Sequence, residues 1–212
     1  RGPRLYAKRV LIEEHARELL PDWLRFVRGV VDSEDISLNV SREMVQKTAV
    51  VQRIRKALTK RILKDLGKFS EAEVAPAEEG EEPKATYEDV WRQFGALLKE
   101  GYYHERSEWE DQLLPLLRFN ATSHEDADGL MSLAQYKEGM LEGQDAIWYL
   151  TAESREAALV SPHLEAFKKR GWNVLLLTET VDEWFVGSLE EFDGLKVKSI
   201  ARGELDLEEE EE

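Results

Sequence analysis

The sequence predicts a mixed α/β fold, and three observations lead to this prediction. Apolar residues recur at helical spacing between residues 42 and 66, which is typical of one long amphipathic helix. Short apolar runs alternate with helical patterns between residues 146 and 200. Between these regions, residues 70–85 are rich in Glu, Pro, Ala and Gly and contain almost no large apolar side chain. We therefore expect two packed units joined by an acidic, flexible linker.

Residues 1–69 are predicted to be the C-terminal part of a larger α/β/α domain. Residues 5–12 alternate in part between apolar and polar side chains, and residues 27–31 form a second extended candidate. These few strands make a poor closed sheet, because isolated strand pairs are only marginally stable in water. The rest of the sheet is therefore expected upstream of Arg1.

The long helix is predicted to run from residue 42 to residue 66, with Gly67 as its C-terminal cap. Its apolar stripe consists of Met44, Val51, Ile54, Leu58, Ile62 and Leu66. Arg and Lys are concentrated between residues 53 and 68, where Asp65 is the single acid. We interpret this basic stretch as a solvated helix face rather than as a binding patch.

Residues 86–144 are predicted to form a helical connector. Capping boxes predict three helix starts, at Thr86 with Asp89, Ser107 with Glu110, and Ser132 with Gln135. Pro115 is expected to shorten or kink the second of these helices. The aromatic side chains of the first helix are interpreted as packing, and Tyr103 and His104 as polar surface at a helix end.

Residues 145–203 are predicted to form a small α/β/α unit with a three-stranded parallel sheet. The strand candidates are residues 146–150, 174–177 and 195–200. Helical patterns at residues 153–170, which end at Gly171, and at residues 181–192 fill the gaps between them. Short alternating elements of this kind favour parallel strands with helices packed on the sheet. Residues 204–212 are expected to be an acidic tail.

Composition limits the classes of function that need to be considered. The 212 residues carry a formal net charge of −15 and no cysteine, so a reducing, cytoplasmic setting is expected and nucleic acid is not an expected partner. The sequence has no apolar run of about 18 residues, so no membrane partner is expected. It also contains no phosphate-binding glycine loop, no metal-ligand spacing of histidines and no nucleophile elbow. We therefore expect no cofactor, no metal and no complete active site within this chain.

The junction between residues 39 and 46 carries the most informative residues. Ser41 is a suitable N-cap, which places Arg42 at the first helical position. At about 100° per residue, Arg42 and Gln46 lie about 40° apart and nearly opposite the apolar stripe. From the residues alone, two interpretations stay open: an ordinary surface arginine, or a receptor for a phosphate on a neighbouring domain.

A resemblance to a known family bears on this choice. Residues 25–35 read RFVRGVVDSED, residues 38–44 read LNVSREM, and Gln46 follows. These segments resemble the signature of the ninety-kilodalton heat-shock chaperone family in its bacterial form. Similarity extends to residues 5–12, 136–144, 161–171 and 182–194. The family's usual Met-Leu-Gln is here Met44, Val45 and Gln46.

The resemblance implies that the chain is the later part of the family's middle domain, without the N-terminal ATPase domain, the beginning of the middle domain or the C-terminal dimerisation domain. It implies that Arg42 reaches the γ-phosphate of ATP held by the N-terminal domain, and that Gln46 assists. ATP and Mg would then belong to the full-length protein, which is expected to be a homodimer. The chain alone would not be an enzyme but would contribute catalytic residues.

A second candidate surface lies in the predicted helix at residues 181–192. Trp184 lies about 60° to 100° away from the centre of its apolar stripe, at the edge of the buried face. A partly exposed tryptophan suits a protein contact, although a tryptophan covered by a loop fits the sequence equally well. Glu183 and Trp184 resemble a position at which bacterial members of the family contact unfolded or partly folded client proteins. Gly187 replaces a polar residue of some relatives.

Three hypotheses of function follow from the sequence. The leading one is a chaperone middle domain that binds clients and completes an ATPase on another domain. The alternative is a protein-interaction scaffold whose Arg42 makes no catalytic contribution. The third, a nucleotide-binding enzyme complete in itself, is disfavoured because the phosphate-binding loop is missing.

Overall fold

The computed structural model describes residues 2–36, 49–73 and 84–201, and the chain divides into two compact units, Arg1–Tyr87 and Glu88–Glu212. Each unit is built around its own sheet. Within those three ranges, no helix is both long enough and apolar enough to cross a lipid bilayer.

The first unit contains a three-stranded sheet in the order β2-β1-β3. Strands β1 (Arg4–Ala7) and β2 (Val10–Glu13) form an antiparallel hairpin, and β3 (Val30–Ser33) runs parallel to β1. The single strand predicted for residues 5–12 was therefore wrong. Lys8 and Arg9 both have positive φ, which is the geometry of a two-residue hairpin turn. Such turns usually contain Asn, Asp or Gly, so Lys and Arg at these positions did not predict one. The Arg9 N–H donates to both carboxylate oxygens of Asp32 at 3.2 Å, which ties this turn to β3.

Helix α1 (Ala49–Glu71) lies on this sheet and buries Val51 and Leu63. The buried core between this helix and the sheet consists of Leu5, Ala7, Ala16, Leu19, Ile36 and the helix residue Val51. The prediction that Gly67 ends the helix was wrong, because the helix continues for another turn. In that turn the ring of Phe69 packs edge-on against Tyr87, with the centroids 6.3 Å apart. The packing of Phe69, two residues after Gly67, thus outweighs the tendency of glycine to end a helix.

Helix α2 (Tyr87–Leu113) begins where the first capping box predicted. The second helix start, predicted at Ser107, lies about two residues earlier: two helical segments meet in a kink at Glu105, whose backbone is not helical, with φ −127° and ψ 26°. Tyr102 precedes this kink and Glu110 follows it, and the Tyr102 hydroxyl donates a hydrogen bond to the Glu110 carboxylate at 2.8 Å. Pro115 follows in a 3₁₀ turn after Leu113, so the predicted shortening at this proline is confirmed.

Helix α3 (Leu133–Glu138) has the predicted capping box, in which Ser132 and Gln135 each accept the other's backbone N–H. On this helix, the buried Tyr136 hydroxyl donates to the Asn173 carbonyl at 2.5 Å and accepts the Trp148 N–H at 3.1 Å. Burial raises the pKa of Tyr136 to about 12. These bonds connect α3 to the sheet of the second unit.

That sheet has five strands in the order β4-β6-β5-β8-β7. The predicted parallel strands are confirmed as β5 (Ala146–Thr151), β6 (Leu175–Leu177) and β8 (Leu195–Ser199), with β5 in the middle and parallel to both neighbours. Two antiparallel edge strands, β4 (Asn120–Ala121) and β7 (Glu191–Phe192), were not predicted. Each has only two residues, too few to show a sequence pattern.

The helices that follow β5 are shorter than predicted. Residues 153–170 form two helices, α4 (Arg155–Leu159) and α5 (Leu164–Arg170), separated by a turn that contains Pro162. Gly171, with φ 69°, ends α5 as predicted. The continuous helix predicted for residues 181–192 was wrong.

Helix α6 (Asp182–Phe185) is the only α-helical part of that segment, and a 3₁₀ turn follows it at Val186–Ser188. The chain then enters β7, because Asp193 and Gly194, both with positive φ, turn it back into a hairpin with β8. Strand pairing therefore replaces the last helical turn.

Candidate functional site

The two parts of the predicted site differ in what the structure describes. Arg42 and Gln46 lie outside the described residues, as do Ser41, residues 74–83 of the expected linker and the tail at residues 204–212. Their roles stay predictions. Glu183 and Trp184 are described, and both lie in α6.

The position of α6 follows from the sheet. Strands β5 and β6 are parallel neighbours, so both end at the same edge. Directly after β6, four loop residues lead into α6, which consequently lies at this carboxyl edge. A pocket of about 430 Å³ opens here, lined by Thr151, Ala152, Glu153, Leu177, Thr178, Glu179, Thr180, Asp182 and Glu183.

A buried ion pair fixes α6 to α2. Lys99 Nζ lies 2.7 Å from Asp182 Oδ1, and the two side chains are only 4% and 2% exposed. Lys99 Nζ also lies 2.5 Å from Glu179 Oε2, while Asp182 Oδ2 accepts the Glu179 N–H at 3.0 Å. Burial raises the pKa of Asp182, and the ammonium of Lys99 opposes that rise.

Aromatic rings enclose the same ammonium group. Lys99 Nζ lies 5.5 Å from the ring centroid of Phe119, 5.8 Å from that of Phe185 and 5.7 Å from that of Trp91. Phe185 itself is fully buried, and its ring contacts Tyr102 with centroids 5.7 Å apart. Asp182 and Phe185 are therefore the two residues that anchor α6.

The outward side of α6 carries Glu183 and Trp184, which are both exposed. Trp184 is 36% exposed, and its ring lies edge-on to Tyr103, with centroids 4.7 Å apart. The His104 ring lies 6.1 Å from Trp184 and 5.0 Å from Tyr103. We call Tyr103, His104 and Trp184 the outer aromatic cluster. It is an exposed apolar surface on a helix whose inner side is held by a buried ion pair.

The sequence located part of this arrangement. Trp184 lies at the edge of the buried face, as its helical position predicted, and the described residues leave it 36% exposed. Tyr103 and His104 were interpreted only as polar surface, and nothing local to them indicates that they meet Trp184. Lys99 was missed, although a lysine within an apolar helix face is a sign of a buried partner.

Two further features limit the chemistry of this region. In the part of the chain that the structure describes, no group of three or more His, Asp or Glu side chains is arranged to hold a metal ion. Gly187, which follows α6, is exposed, and a side chain added there would meet no atom within 4 Å. The surface beside Trp184 thus has room for the polar residue of some relatives.

Comparison with known proteins gives a consistent result. The sequence model of the family described as "Hsp90 protein" matches residues 3–212. The chain is 49% identical over 212 residues to the chaperone protein HtpG of Nocardia farcinica, and 49% identical over 214 residues to that of Mycobacterium leprae. It is 47% identical over 206 residues to the HtpG of Cupriavidus taiwanensis.

The extent of these matches differs between sequences and structures. All of this chain aligns with the Nocardia and Mycobacterium proteins, but it spans only 31% and 30% of their lengths. For the Cupriavidus protein, the shares are 97% of this chain and 31% of the relative. The middle domain of a heat shock protein from Plasmodium falciparum has a similar structure, with a TM-score of 0.77 and 29% identity. That match covers 94% of this chain and 72% of the other.

Proposed function

The chain belongs to the Hsp90 family, and from this premise we propose that it is the middle domain of an ATP-dependent chaperone that binds unfolded client proteins at the outer aromatic cluster. The single observation that carries the client site is the exposed Trp184 ring on a helix held from within by Lys99 and Asp182. The activity of the full-length protein is also part of this proposal, because the chain spans only about a third of the length of its relatives.

The physical argument for client binding rests on rigidity and exposure. Tryptophan and tyrosine supply large contact areas with few rotatable bonds, so they lose little entropy when a partner covers them. Trp184 and Tyr103 are exposed and already packed against each other, so little reorganisation opposes binding. An unfolded client supplies the exposed apolar side chains that such a surface binds. Glu183, beside Trp184, supplies a polar edge to the contact.

The ATPase part of the proposal concerns Arg42 and Gln46. We infer that Arg42 offers its guanidinium to the γ-phosphate of ATP on a separate N-terminal domain, with Gln46 assisting. A fixed cation at that position stabilises the negative charge that builds on the transferred phosphoryl group. ATP and Mg would be held mainly by that N-terminal domain. Support comes from the sequence resemblance and the family membership.

The expected partners and location complete the proposal. They are the N-terminal ATPase domain and a C-terminal dimerisation domain of the same protein, so the full-length chaperone is proposed to be a cytoplasmic homodimer. The names of the HtpG relatives support a chaperone role.

The client site is tested by measuring fluorescence anisotropy of a labelled, unfolded client during titration with the chain. Trp184→Ala should weaken binding about tenfold or more, since a central tryptophan of an interface commonly contributes that much. Val160→Ala is the control, because Val160 is an apolar residue that is 81% exposed and lies outside the cluster. Equal affinity of wild type and both variants would refute the client site.

The ATPase role is tested by adding the chain to the isolated N-terminal domain of a relative and measuring ATP turnover. We expect the wild-type chain to stimulate turnover and Arg42→Ala to lose that stimulation about tenfold or more. Arg61→Ala, on the exposed face of α1, serves as the control for loss of a positive charge. Stimulation that survives Arg42→Ala would favour the scaffold alternative.

A further inference from the structure

The pocket at the carboxyl edge continues the client surface. Glu183 lines this pocket, and Trp184 of the outer aromatic cluster is the next residue in α6. In this sheet β6 lies on one side of β5 and β8 on the other. The connection from β5 leads to β6, and the connection from β6 crosses back over β5 to β8, so the direction in which strands are added reverses at β5. Crevices at such reversals, outside the carboxyl ends of parallel strands, are where open α/β sheets bind ligands. Position and volume therefore identify a cavity that a bound client can enter.

The charges around the cavity decide which group fits it. The exposed carboxylates of Glu153, Glu179 and Glu183 line it, and no Lys or Arg is among the described residues of its wall. Lys99, which contacts two residues of the wall, is buried and bonds Asp182 and Glu179. A single ammonium group thus pairs with two carboxylates, those of Glu179 and Asp182, so the cavity wall keeps a net negative charge. Three threonine hydroxyls, from Thr151, Thr178 and Thr180, add hydrogen-bond acceptors.

We propose that this cavity receives the ammonium or guanidinium group of a basic client side chain while a neighbouring apolar client residue packs on Trp184. This inference rests on the proposed client function and names the client chemistry. An anionic group would be repelled by the wall. An uncharged group would displace water from the carboxylates without replacing its hydrogen bonds. A Lys or Arg side chain replaces them, and its aliphatic part reaches from the apolar surface into the cavity.

The test uses a short fluorescein-labelled synthetic peptide that carries alternating Phe and Lys, together with a twin in which every lysine is acetylated. Acetylation removes the charge and keeps the side chain. We expect the 212-residue chain to bind the charged peptide about threefold to tenfold more tightly than its twin. Glu153→Gln removes one of the three exposed wall carboxylates and should weaken binding of the charged peptide more than binding of its acetylated twin. Raising the salt concentration should act on the charged peptide only.

The matched control is Glu142→Gln, which changes the net charge equally at an exposed residue outside the cavity wall and should leave both affinities unchanged. Equal binding of the two peptides by wild type, or equal effects of Glu153→Gln and Glu142→Gln, would overturn the proposal. Trp184→Ala separates this failure from failure of the client site. If it weakens both peptides while Glu153→Gln affects neither, the client site stands and the cation subsite does not. If it weakens neither peptide, the client site itself fails.

Discussion

His124 shows at the scale of one residue how the second unit depends on protonation. Its Nδ1 accepts the Ala121 N–H at 3.0 Å, and its carbonyl accepts a hydrogen bond from Arg155 at 2.6 Å. Burial lowers the pKa of His124, the positive charge of Arg155 lowers it further, and Asp126 opposes this. A protonated imidazole has no lone pair for the Ala121 N–H. The neutral form is thus the one that fits the folded state.

We predict that acidification destabilises the chain through His124. Above the unfolded pKa of about 6.5 the imidazole is neutral in both states, so this residue adds no pH dependence there. As the pH falls through that value, the unfolded state takes up the proton more readily than the folded state, and stability is lost. Urea denaturation at pH 7.5 and pH 5 measures the loss. It should be smaller in His124→Asn, whose amide oxygen can accept the same N–H; an equal loss in both proteins would contradict the assignment.

At the scale of the element, α6 depends on a contact far away in sequence. Its four residues are too few to form a stable helix alone. The Lys99–Asp182 pair and the buried Phe185 ring supply the tertiary anchoring instead. Whatever binds Trp184 therefore meets a short helix whose position is set by α2.

We predict that Lys99→Met destabilises the second unit by about 3–5 kcal/mol, because it leaves the buried Asp182 carboxylate without its cation. Urea denaturation followed by tryptophan fluorescence measures this. Arg61→Met is the control: Arg61 pairs with Asp65 at 2.8 Å, but both side chains are exposed and screened by water, so its loss should cost far less than the loss of Lys99. The double variant Lys99→Met with Asp182→Leu should recover much of the loss. A cost of Lys99→Met no larger than that of Arg61→Met would contradict the anchoring role.

Elements with a sustained pattern were predictable, and elements made by pairing were not. The parallel strands β5 and β6 have continuous apolar runs, and β8 alternates between apolar and polar residues; neither pattern depends on other parts of the chain. In contrast, β7 exists because the Asp193–Gly194 turn pairs it with β8, and the same apolar spacing had predicted more helix. Local spacing cannot distinguish these outcomes, since pairing with a neighbouring strand decides between them.

The candidate site shows the same division. Helical position was sufficient to place Trp184 at the edge of the buried face. The Lys99–Asp182 pair joins residues 83 positions apart, and the contact of Tyr103 with Trp184 is similarly distant. Single-sequence patterns carry no information about such long-range pairs. The site was therefore predictable as an exposed residue but not as an anchored cluster.

At the scale of the whole molecule, charge is distributed unevenly over two separately built units. The net charge of −15 coexists with a basic α1, where Arg53, Lys56 and Lys60 are exposed. Arg61 on the same helix forms its ion pair with Asp65. These exposures fit the interpretation of α1 as a solvated helix face. The second unit carries the proposed client surface, and the cavity beside that surface is acidic like the chain as a whole.

The central claim is that clients contact Trp184, and fluorine NMR of the chain labelled with 5-fluorotryptophan tests it most directly. The chain has six tryptophans; Trp23, Trp91, Trp109 and Trp148 are at most 6% exposed. Trp184→Phe assigns the Trp184 line. On addition of an unfolded client, we predict that this line shifts or broadens while the lines of the buried tryptophans stay in place. A Trp184 line that stays unchanged while anisotropy shows the client bound would contradict the account.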